Sequence, residues 1–387
     1  MKKTCYPFIS VLLISCYPIS GLSIFVSISN VEAQLTTQKT AVSESRHQME
    51  RAIAAAFAPV FYQGLGDQPR FDYIASFNFD RDWRGDNNWR NAESRRFPLK
   101  AYIYYSVTET TSHYFIHYAV FHPIDYKGGA RRGQLFSALI REGVKLGGKY
   151  DPTGRAEEAV LAHENDLEGC LIAIEKSDDD YNSGRVVFVE TLAHNRFNRY
   201  VPEKSKQSGF ETVSLEGKRP RLFIEPKGHG IEAYRGNQQQ LKDSINGVLV
   251  YTHSGNAQDP EKTKSKIIGY NLAPIETTLW AKARRGVGDT CGEIFNYQAL
   301  TINLLRTDGA SMQKKVTIGN AGAAFRGKVG APNMARPPWA WFDSAEREQP
   351  LGEWFFDPAK TIKRHFNLGD EFSTIYIDGI IVRLMSR

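Results

Sequence analysis

The segment that most constrains the fold of this chain is 161–174, where a dense group of ionisable side chains runs directly into an apolar stretch. Between His163 and Glu168, one imidazole and three carboxylates fall within six residues. The apolar half, Leu171 to Ile174, predicts a buried β-strand. Ionised groups beside a buried strand are costly unless they are paired or bind a cation. The segment therefore predicts a strand with a polar site at its start.

The overall composition is that of an ordinary globular protein. The 387 residues are 41% hydrophobic and 24% charged, which supplies ample material for a large core and excludes the composition of a disordered chain. The formal net charge is +6, and removing Lys2, Lys3 and Glu32 with an N-terminal leader would leave +5. Such a mildly basic balance does not indicate nucleic-acid binding.

The N-terminus has the three parts of a secretory signal. A basic start is followed by an apolar run over 5–28 and by small residues ending at Ala33. This pattern predicts a signal peptide over 1–33, cleaved after Ala33, and a secreted or periplasmic mature chain. Two alternatives stay open: a retained membrane anchor, and a lipid anchor on Cys16, because 13–16 resembles a bacterial lipobox.

Two cysteines remain outside the predicted signal peptide. An exported chain could join Cys170 and Cys291 in a disulfide. Alternatively, Cys170 is simply a buried thiol, because it lies within an apolar strand. The sequence leaves both possibilities open.

The distribution of strand-forming residues predicts a mainly β protein. A helix is expected over Ser43–Phe57 and a further strand over Phe77–Trp83, while Pro123 is expected to end a strand. Residues 200–219 and 311–338 are expected to be loops because of their polar, Gly-rich or Pro-rich composition. The other predicted strands are Leu99–Val107, His113–Phe121, Asp166–Ile174, Arg185–Thr191, Arg221–Glu225, Gly247–Thr252 and Thr374–Leu384.

Short strands with long loops and few helices are typical of a mainly β (α+β) fold, here a β-sandwich with peripheral helices. The sequence pattern predicts a chain with four parts. They are the signal peptide (1–33), a helical segment (34–58), a β-sandwich core (59–300) with a basic surface insertion (127–158), and a C-terminal extension packed on the core (301–387).

The ionisable cluster predicts a cation site. On a strand, Asp166 and Glu168 point to the same face, and His163 is far enough away to fold over that face from a turn. If the strand ending near Asp125 is a neighbour, its carboxylate completes a set of three carboxylates and one imidazole, which suits a hard divalent cation or zinc. The alternative is that these acids pair with nearby Arg and Lys on a solvated rim.

The segment resembles the heptapeptide Gly-His-Arg-His-Asp-Trp-Glu of the necrosis- and ethylene-inducing-like proteins (NLP cytolysins) and of a related vacuolar-sorting-type family. His163, Asp166 and Glu168 keep the motif's spacings of three and two, whereas Glu164, Asn165 and Leu167 depart from it. The family also has an upstream aspartate after an aromatic strand, to which Tyr118–Asp125 is similar. The resemblance covers about 60–230 and identifies the chain as a divergent, bacterial-type secreted relative.

The resemblance implies a β-sandwich with a divalent cation held at its mouth by Asp125, His163, Asp166 and Glu168. Calcium, magnesium or manganese is expected in preference to zinc. A further match, Phe223–Gly230, resembles the strand followed by Gly-Ser-His in the vacuolar-sorting-type relatives and would place His229 at the same cleft. The expected partner is a membrane-surface glycolipid or polysaccharide, with no nucleic acid.

Three functions follow from these expectations. The first is an exported toxin-like binding module that engages an extracellular surface, glycolipid or polar headgroup through its cation. The second is a metal-dependent secreted hydrolase of phosphoester or glycolipid substrates, with Glu164 or His229 as general base. The third is a structural envelope protein in which the cluster only bridges loops. A nucleotide cofactor is not expected, because Gly236 interrupts the helix that a Gly-x-Gly-x-x-Ala loop at Gly228 would have to begin.

Overall fold

The computed structural model describes residues 44–126, 162–177, 183–205, 209–284, 289–329 and 335–386. The predicted signal peptide, Cys16 and the insertion 127–158 lie outside these ranges. The chain divides into two units, 1–47 and 48–387. In the first unit, residues 44–47 are helical. The following description concerns the second unit.

The predicted mainly β fold is confirmed. In the described part of the chain, most strands belong to one large mixed sheet with the order β10-β9-β1-β11-β12-β2-β3-β4-β5-β6-β7, and β13 and β16 form a separate ribbon. The strands are β1 (Val60–Gly64), β2 (Tyr102–Thr110), β3 (His113–Asp125), β4 (His163–Glu175), β5 (Arg185–Leu192), β6 (Phe197–Pro202), β7 (Glu211–Val213), β8 (Leu215–Glu216), β9 (Arg219–Ile224), β10 (Ile231–Ala233), β11 (Val248–His253), β12 (Ile267–Pro274), β13 (Cys291–Tyr297), β14 (Leu300–Leu305), β15 (Ser311–Val316), β16 (Gly319–Phe325) and β17 (Ile375–Asp378).

The helices are short and lie around the sheet. They are α1 (48–56), α2 (Asn88–Glu93), α3 (Gln238–Leu241), α4 (Ala281–Ala283), α5 (Glu353–Phe356), α6 (Pro358–His365) and α7 (Ile380–Arg383). Glu276–Trp280 adds a π-helical turn before α4. The sheet curls until it is nearly closed, since β10 lies against β4 and β5. None of the helices described here is long and apolar enough to span a bilayer.

The sheet separates two hydrophobic cores. Along β3, Ile116 and Tyr118 face the first core with α1, whereas Phe115 and Ala119 face the second core. This is the period-two alternation of a strand buried on both faces. The second core is completed by the C-terminal segment, including the buried Trp339, Trp341, Trp354, Phe355 and Phe356. The C-terminal residues therefore cover the outer face of the same strands that carry the predicted site.

Both described cysteines are buried free thiols. Cys170 belongs to the first core and Cys291 to the second, so the sheet lies between them. The disulfide alternative is therefore not what the structure shows. Burial raises the pKa of the Cys291 thiol to about 12. Both side chains act as small apolar groups in their cores.

Several local predictions are wrong. Pro123 does not end its strand, since β3 continues to Asp125. The pairing of β3 with β2 stops at Val120, so this ladder does not need the backbone N–H that Pro123 lacks. Phe77–Trp83 forms turns instead of a strand. The expected loop at 311–338 contains strands β15 and β16, and 200–219 contains further short strands.

Candidate metal centre

The predicted ligands meet where β3 and β4 run side by side. These strands are antiparallel neighbours, with Asp125 opposite His163, His122 opposite Asp166, and Val120 opposite Glu168. The strand that ends at Asp125 is therefore a neighbour of the strand that carries His163, Asp166 and Glu168, as the predicted site required. The four predicted ligands are nearly buried, with relative exposures of 5–8%. They lie at the polar end of a strand pair whose other end passes through both cores.

One backbone feature sets which side chains share a face. Asn165 has φ of 62°, in the left-handed region, in the middle of β4. The carboxylate of Glu164 accepts hydrogen bonds from the backbone N–H groups of Trp89 and Lys328 (2.8 and 2.7 Å). The Asn165 amide donates to the carbonyls of Gly85 and Arg326 (2.8 and 2.9 Å), on the same side. Strict alternation is therefore broken here, and His163 and Asp166 can share the opposite face.

The four predicted ligands, here called the rim of the site, make short contacts with backbone and side-chain groups. His163 Nδ1 lies 2.9 Å from the Asn165 carbonyl oxygen, and its Nε2 lies 3.4 Å from Asp125 Oδ2. Because a carbonyl only accepts, Nδ1 carries the proton, and Nε2 is the nitrogen that could bind a cation. Burial alone would lower the pKa of His163, but Asp125, with Asp166, raises it. The backbone N–H of His194 donates to Glu168 Oε1 over 3.4 Å.

Behind Asp166 lies a fully buried polar layer. His229 Nδ1 lies 2.8 Å from Asp166 Oδ2, and its Nε2 faces Asp72 Oδ1 at 3.3 Å. The ring of His122 stacks on that of His229, with 3.7 Å between centroids and 7° between planes. His122 Nε2 lies 2.9 Å from Gln63 Oε1. These residues, apart from the slightly exposed Asp166, have no exposed surface.

The two stacked histidines differ in basicity. Burial alone would lower the pKa of His229, but its contacts with Asp166 and Asp72 raise it to about 9. Burial, helped by the charge on His229, lowers the pKa of His122 well below its ordinary value. Of the two rings, His229 therefore holds a proton more readily than His122.

The segments that form the site are conformationally unusual. Eight non-glycine residues in the described ranges have positive φ, and five of them lie in these segments: Asn165, His194, Asn195, Lys227 and His229. Non-glycine residues in this region cost free energy and persist where the surroundings hold them. The neighbouring turns also touch, since a Cβ at Gly230 would lie 3.1 Å from His194 Nε2.

Two further features lie beside the rim. His194 Nε2 pairs with Glu225 Oε1, and these two side chains are 39% and 38% exposed. Glu225 and Lys227 also line a cavity of about 680 Å³, whose other walls include Tyr200, Arg235 and Gln240. Its lining mixes carboxylates, amides and cations, so it suits a polar ligand rather than an apolar one.

The structure separates the predicted residues into distinct roles. His163 contacts Asp125 and lies near Asp166, and Glu168 follows two residues further along β4. Of the two residues considered as general bases, Glu164 points to the opposite side, and His229 lies behind Asp166. Sequence reasoning missed Asp72, Gln63 and His122. His122 stands directly before Pro123 in the aromatic strand and could have been found there, but Asp72 and Gln63 carry no comparable signal.

Two sets of side chains could hold a cation, and they share Asp166. The outer set contains Asp125, His163, Asp166 and Glu168. The inner set contains His122, Asp166 and His229, whose potential ligand atoms lie within 4.8 Å of one another. The outer set offers three carboxylates and an imidazole nitrogen whose tautomer is fixed, a chemistry that suits a divalent cation. Among the described residues, the ligand atoms of the inner set lie closer together than those of the outer set.

No protein-family model and no curated protein matches the chain. Solved structures that resemble it include "Toxin fold for microbial attack and plant defense" (TM-score 0.28, 16% identity, 58% of this chain and 73% of that one). Others are "NLPPya in complex with glucosamine" (TM-score 0.27, 16% identity, 58% and 72%) and the Necrosis and Ethylene inducing Protein 2 from the causal agent of cocoa's Witches Broom disease (TM-score 0.24, 14% identity, 58% and 73%). These neighbours are NLP toxin-fold proteins, as the motif predicted. At such TM-scores the likeness supports no argument about ligand or activity.

Proposed function

We propose that this protein is an exported, NLP-like β protein that binds one divalent cation through Asp125, His163, Asp166 and Glu168. The cation would engage an extracellular surface, a glycolipid or another polar headgroup. The observation that supports this most directly is the pairing of β3 with β4, which places Asp125 opposite His163, with Asp166 and Glu168 following on β4 and all four side chains nearly buried. Three carboxylates within a nearly buried cluster are stabilised most simply by a cation.

The ligand chemistry favours a hard cation. Carboxylate oxygens are preferred by calcium, magnesium and manganese, and one imidazole is compatible with manganese. Four protein ligands would leave coordination positions of a six- to eight-coordinate cation open to other oxygens. Hydroxyl or phosphate oxygens of a glycan or headgroup could occupy those positions. The neighbouring polar cavity of about 680 Å³ offers room for the rest of such a ligand.

The metal content of the 34–387 chain tests this proposal. We expect about one divalent cation per wild-type molecule and none in Asp166→Ala. Asp308→Ala is the matched control, because Asp308 is an exposed carboxylate on the β14–β15 turn. Saturation at 100–1,000 times the dissociation constant should raise the free energy of unfolding by about 3–4 kcal/mol, which chelation removes.

Two outcomes would reject the proposal. If neither wild type nor variant holds a cation and no added cation shifts the melting curve, the cluster is not a cation site. If the cation is bound but cation-dependent binding to glycolipid vesicles, glucosamine or mannosamine is absent, the cluster only bridges loops, as in a structural envelope protein. In that case, Asp166→Asn should lower thermal stability without changing surface binding.

A second candidate function is hydrolysis, and the exposed His194–Glu225 pair favours it. Glu225 can orient the His194 ring, and His194 is anchored to Glu168 through its backbone. Water would add across a phosphoester P–O bond: His194 takes a proton from the attacking water and returns it to the leaving oxygen. A bound cation would polarise the bond that breaks. His194 thus replaces Glu164 and His229, whose positions keep them from a substrate.

Turnover of bis(p-nitrophenyl) phosphate distinguishes the two functions. If the protein is a hydrolase, His194→Gln should lower kcat by about 100-fold or more while cation binding persists. His253→Gln, a half-buried histidine outside the site, should behave like wild type. Absence of cation-dependent turnover by the wild type, with this or with glycolipid substrates, rejects the hydrolase and leaves the binding module.

A further inference from the structure

We infer that Arg51, Arg219 and His253 form a second binding site, for a phosphate or sulfate group, at the end of the sheet opposite the candidate metal centre. The inference goes beyond the proposed function and does not depend on the cation site. It rests on three basic side chains that lie close together and that have no carboxylate partner among the described residues.

The directions of the strands separate this cluster from the cation ligands. Strand β9 begins at Arg219 and runs towards the turn that carries His229, which contacts Asp166. Strand β1 is parallel to β9, whereas β11 is antiparallel to β1 and ends at His253. The start of β9 and the end of β11 therefore lie at the end of the sheet that is remote from His229.

Only one strand lies between Arg219 and His253. By the register of β1 with β9 and with β11, these two residues flank the Ala58–Pro59 segment that precedes β1. Neighbouring strands lie about 4.8 Å apart, so the two Cα atoms are about 10 Å apart. A long arginine side chain can therefore approach the imidazole of His253.

Arg51 reaches the same place from helix α1. Its Nη2 donates to Oδ1 of Asn271 over 2.8 Å. Asn271 directly follows Tyr270, which is the register partner of His253 in β12. The rings of Tyr270 and His253 lie 5.7 Å apart between centroids. Helix α1 and strands β9 and β11 thus each bring one basic side chain to this end of the sheet.

The ring of His253 faces positive charge only. Its Nε2 is buried and has no hydrogen-bond partner. Burial lowers the pKa of His253, and the charges of Arg219 and Arg51 lower it further. In the part of the chain that the structure describes, no carboxylate opposes this effect. A bound anion would supply the negative charge that is missing between the three groups.

Arg219 is a partly buried guanidinium without a counter-ion. Within the described ranges it takes part in no ion pair and no hydrogen bond, although Glu216 stands opposite it in the β8–β9 register. Burial raises the pKa of Tyr270 well above its usual value, and the charge of Arg219 opposes this shift, so the guanidinium lies near the first core. The acid that precedes Arg51 in α1, Glu50, is paired with Arg383 (2.8 Å).

A tetrahedral oxyanion is the ligand that fits this cluster best. Guanidinium groups bind phosphate and sulfate oxygens through two parallel N–H bonds, and such charge-assisted bonds are stronger than neutral ones. Like charges that are partly removed from water repel one another, and a bound dianion would replace this repulsion by attraction. Because the donors come from three separate elements, they can approach one small group from different sides.

Titration calorimetry with inorganic phosphate, and separately with sulfate, tests the inference at constant ionic strength. The protein is first freed of divalent cations by chelation and dialysis. We expect binding with a dissociation constant of about 1 mM or tighter. Arg219→Gln and Arg51→Gln should each weaken binding about 10-fold or more, because each removes a charge-assisted bond. Arg306→Gln is the matched control, since it removes an equal charge from an exposed ion pair with Asp308.

The imidazole resonances of His253 give a second readout in wild type. They are identified by their absence in His253→Gln, and phosphate should shift them. This readout needs no arginine variant, so it decides the inference even if Arg219→Gln does not fold. Because the site is remote from the metal centre, its occupancy and the turnover considered above are separate measurements.

Four results would overturn the inference. The first is no binding of either oxyanion by the cation-free wild type. The second is binding that appears only when a divalent cation is restored, which would place the anion at the metal centre. The third is equal weakening in Arg306→Gln and Arg219→Gln, which would show general attraction to a basic surface. The fourth is bound phosphate with unchanged His253 resonances, which would place the anion elsewhere.

Discussion

At the scale of single residues, Asn165 decides what the heptapeptide-like segment can do. In a regular strand, His163 and Asp166 would point to opposite faces, because their spacing is odd. The left-handed conformation of Asn165 resets this alternation. Asparagine tolerates that conformation better than most residues, and here its amide also satisfies the carbonyls of Gly85 and Arg326.

We predict that Asn165→Ala weakens both the fold and cation binding. The variant loses buried hydrogen bonds and places a Cβ residue without a stabilising side chain in the left-handed region, which should cost about 2–4 kcal/mol of unfolding free energy. Denaturant unfolding and Mn²⁺ titration measure the two effects. Asn367→Ala is the control, since Asn367 also has positive φ (51°) but follows α6, away from the site. Equal loss of affinity in both variants would contradict the specific role of Asn165.

The rim of the site could be predicted from sequence, but its support could not. The spacing of His163, Asp166 and Glu168 is visible in one segment, and the pairing of β3 with β4 brings Asp125 to it. Asp72 lies between two aromatic residues in a 3-10 turn far away in sequence. Its role depends on long-range contacts with Tyr126 and Lys227, which no local pattern encodes.

At the scale of elements, α6 is attached to β5 by a buried charged cluster. His365 Nδ1 lies 2.5 Å from Glu190 Oε1, and its Nε2 lies 2.8 Å from Glu346 Oε2. Trp354 donates to the other oxygen of Glu190 (2.7 Å). Burial alone would lower the pKa of His365, but Glu190, with Glu346, raises it. Burial alone would raise the pKa of Glu346, but His365 and Arg364 lower it to about 2.

This cluster predicts a pH window for stability. Because the folded pKa of His365 is raised above its ordinary 6.5, its contribution is complete below 6.5 and is lost as pH rises through the folded value. The pKa of Glu346 is lowered from 4.5, so its contribution is present above 4.5 and is lost as pH falls towards 2. His365→Gln should therefore cost about 3–5 kcal/mol between pH 4.5 and 6.5, and less as pH rises through the folded pKa of His365.

Unfolding free energies of wild type and His365→Gln across this pH range measure the effect. His117→Gln is the control of opposite sign, because burial lowers the pKa of the folded His117 to about 3, whereas the unfolded chain takes up a proton there below about 6.5. Its cost should therefore decrease as pH falls from 9 to 4.5, whereas the cost of His365→Gln should increase. A cost of His365→Gln that is independent of pH would show that His365 contributes by packing alone.

Strands could be predicted from sequence where their own side chains indicate burial. They could not be predicted where contacts with distant residues determine the structure. The aromatic and β-branched stretches of β2 to β5 were recognised. Strand β15 shows no hydrophobic alternation because five of its six residues are exposed along the edge of the sheet. Strand β16 consists largely of Gly and Ala, and its small side chains accommodate Trp339, which donates to the Gly322 carbonyl (2.7 Å). Neither composition resembles a strand in isolation.

At the scale of the whole molecule, the sheet is stabilised from both faces. Strands β3 and β4, which carry the site, lie between the two cores. The second core depends on aromatic side chains from the C-terminal segment. The contact is close at the site itself: a Cβ added to Gly169 would lie 2.4 Å from the Trp341 ring. Trp341 also donates to the Leu167 carbonyl (3.0 Å). The C-terminal segment thus holds the strand that carries Asp166 and Glu168.

We therefore predict that a chain ending at residue 299 does not form the cation site. Truncation removes five buried aromatic side chains from the second core, namely Trp339, Trp341, Trp354, Phe355 and Phe356. Loss of each large buried side chain costs about 3–5 kcal/mol. The summed cost therefore exceeds the unfolding free energy of a typical domain, which is about 5–15 kcal/mol. Thermal unfolding by near-ultraviolet circular dichroism should show one cooperative transition for residues 34–387 and none for 34–299. A cooperative transition of the shorter chain, with Mn²⁺ affinity equal to that of the longer one, would instead make the C-terminal segment a separable addition to a self-sufficient sheet.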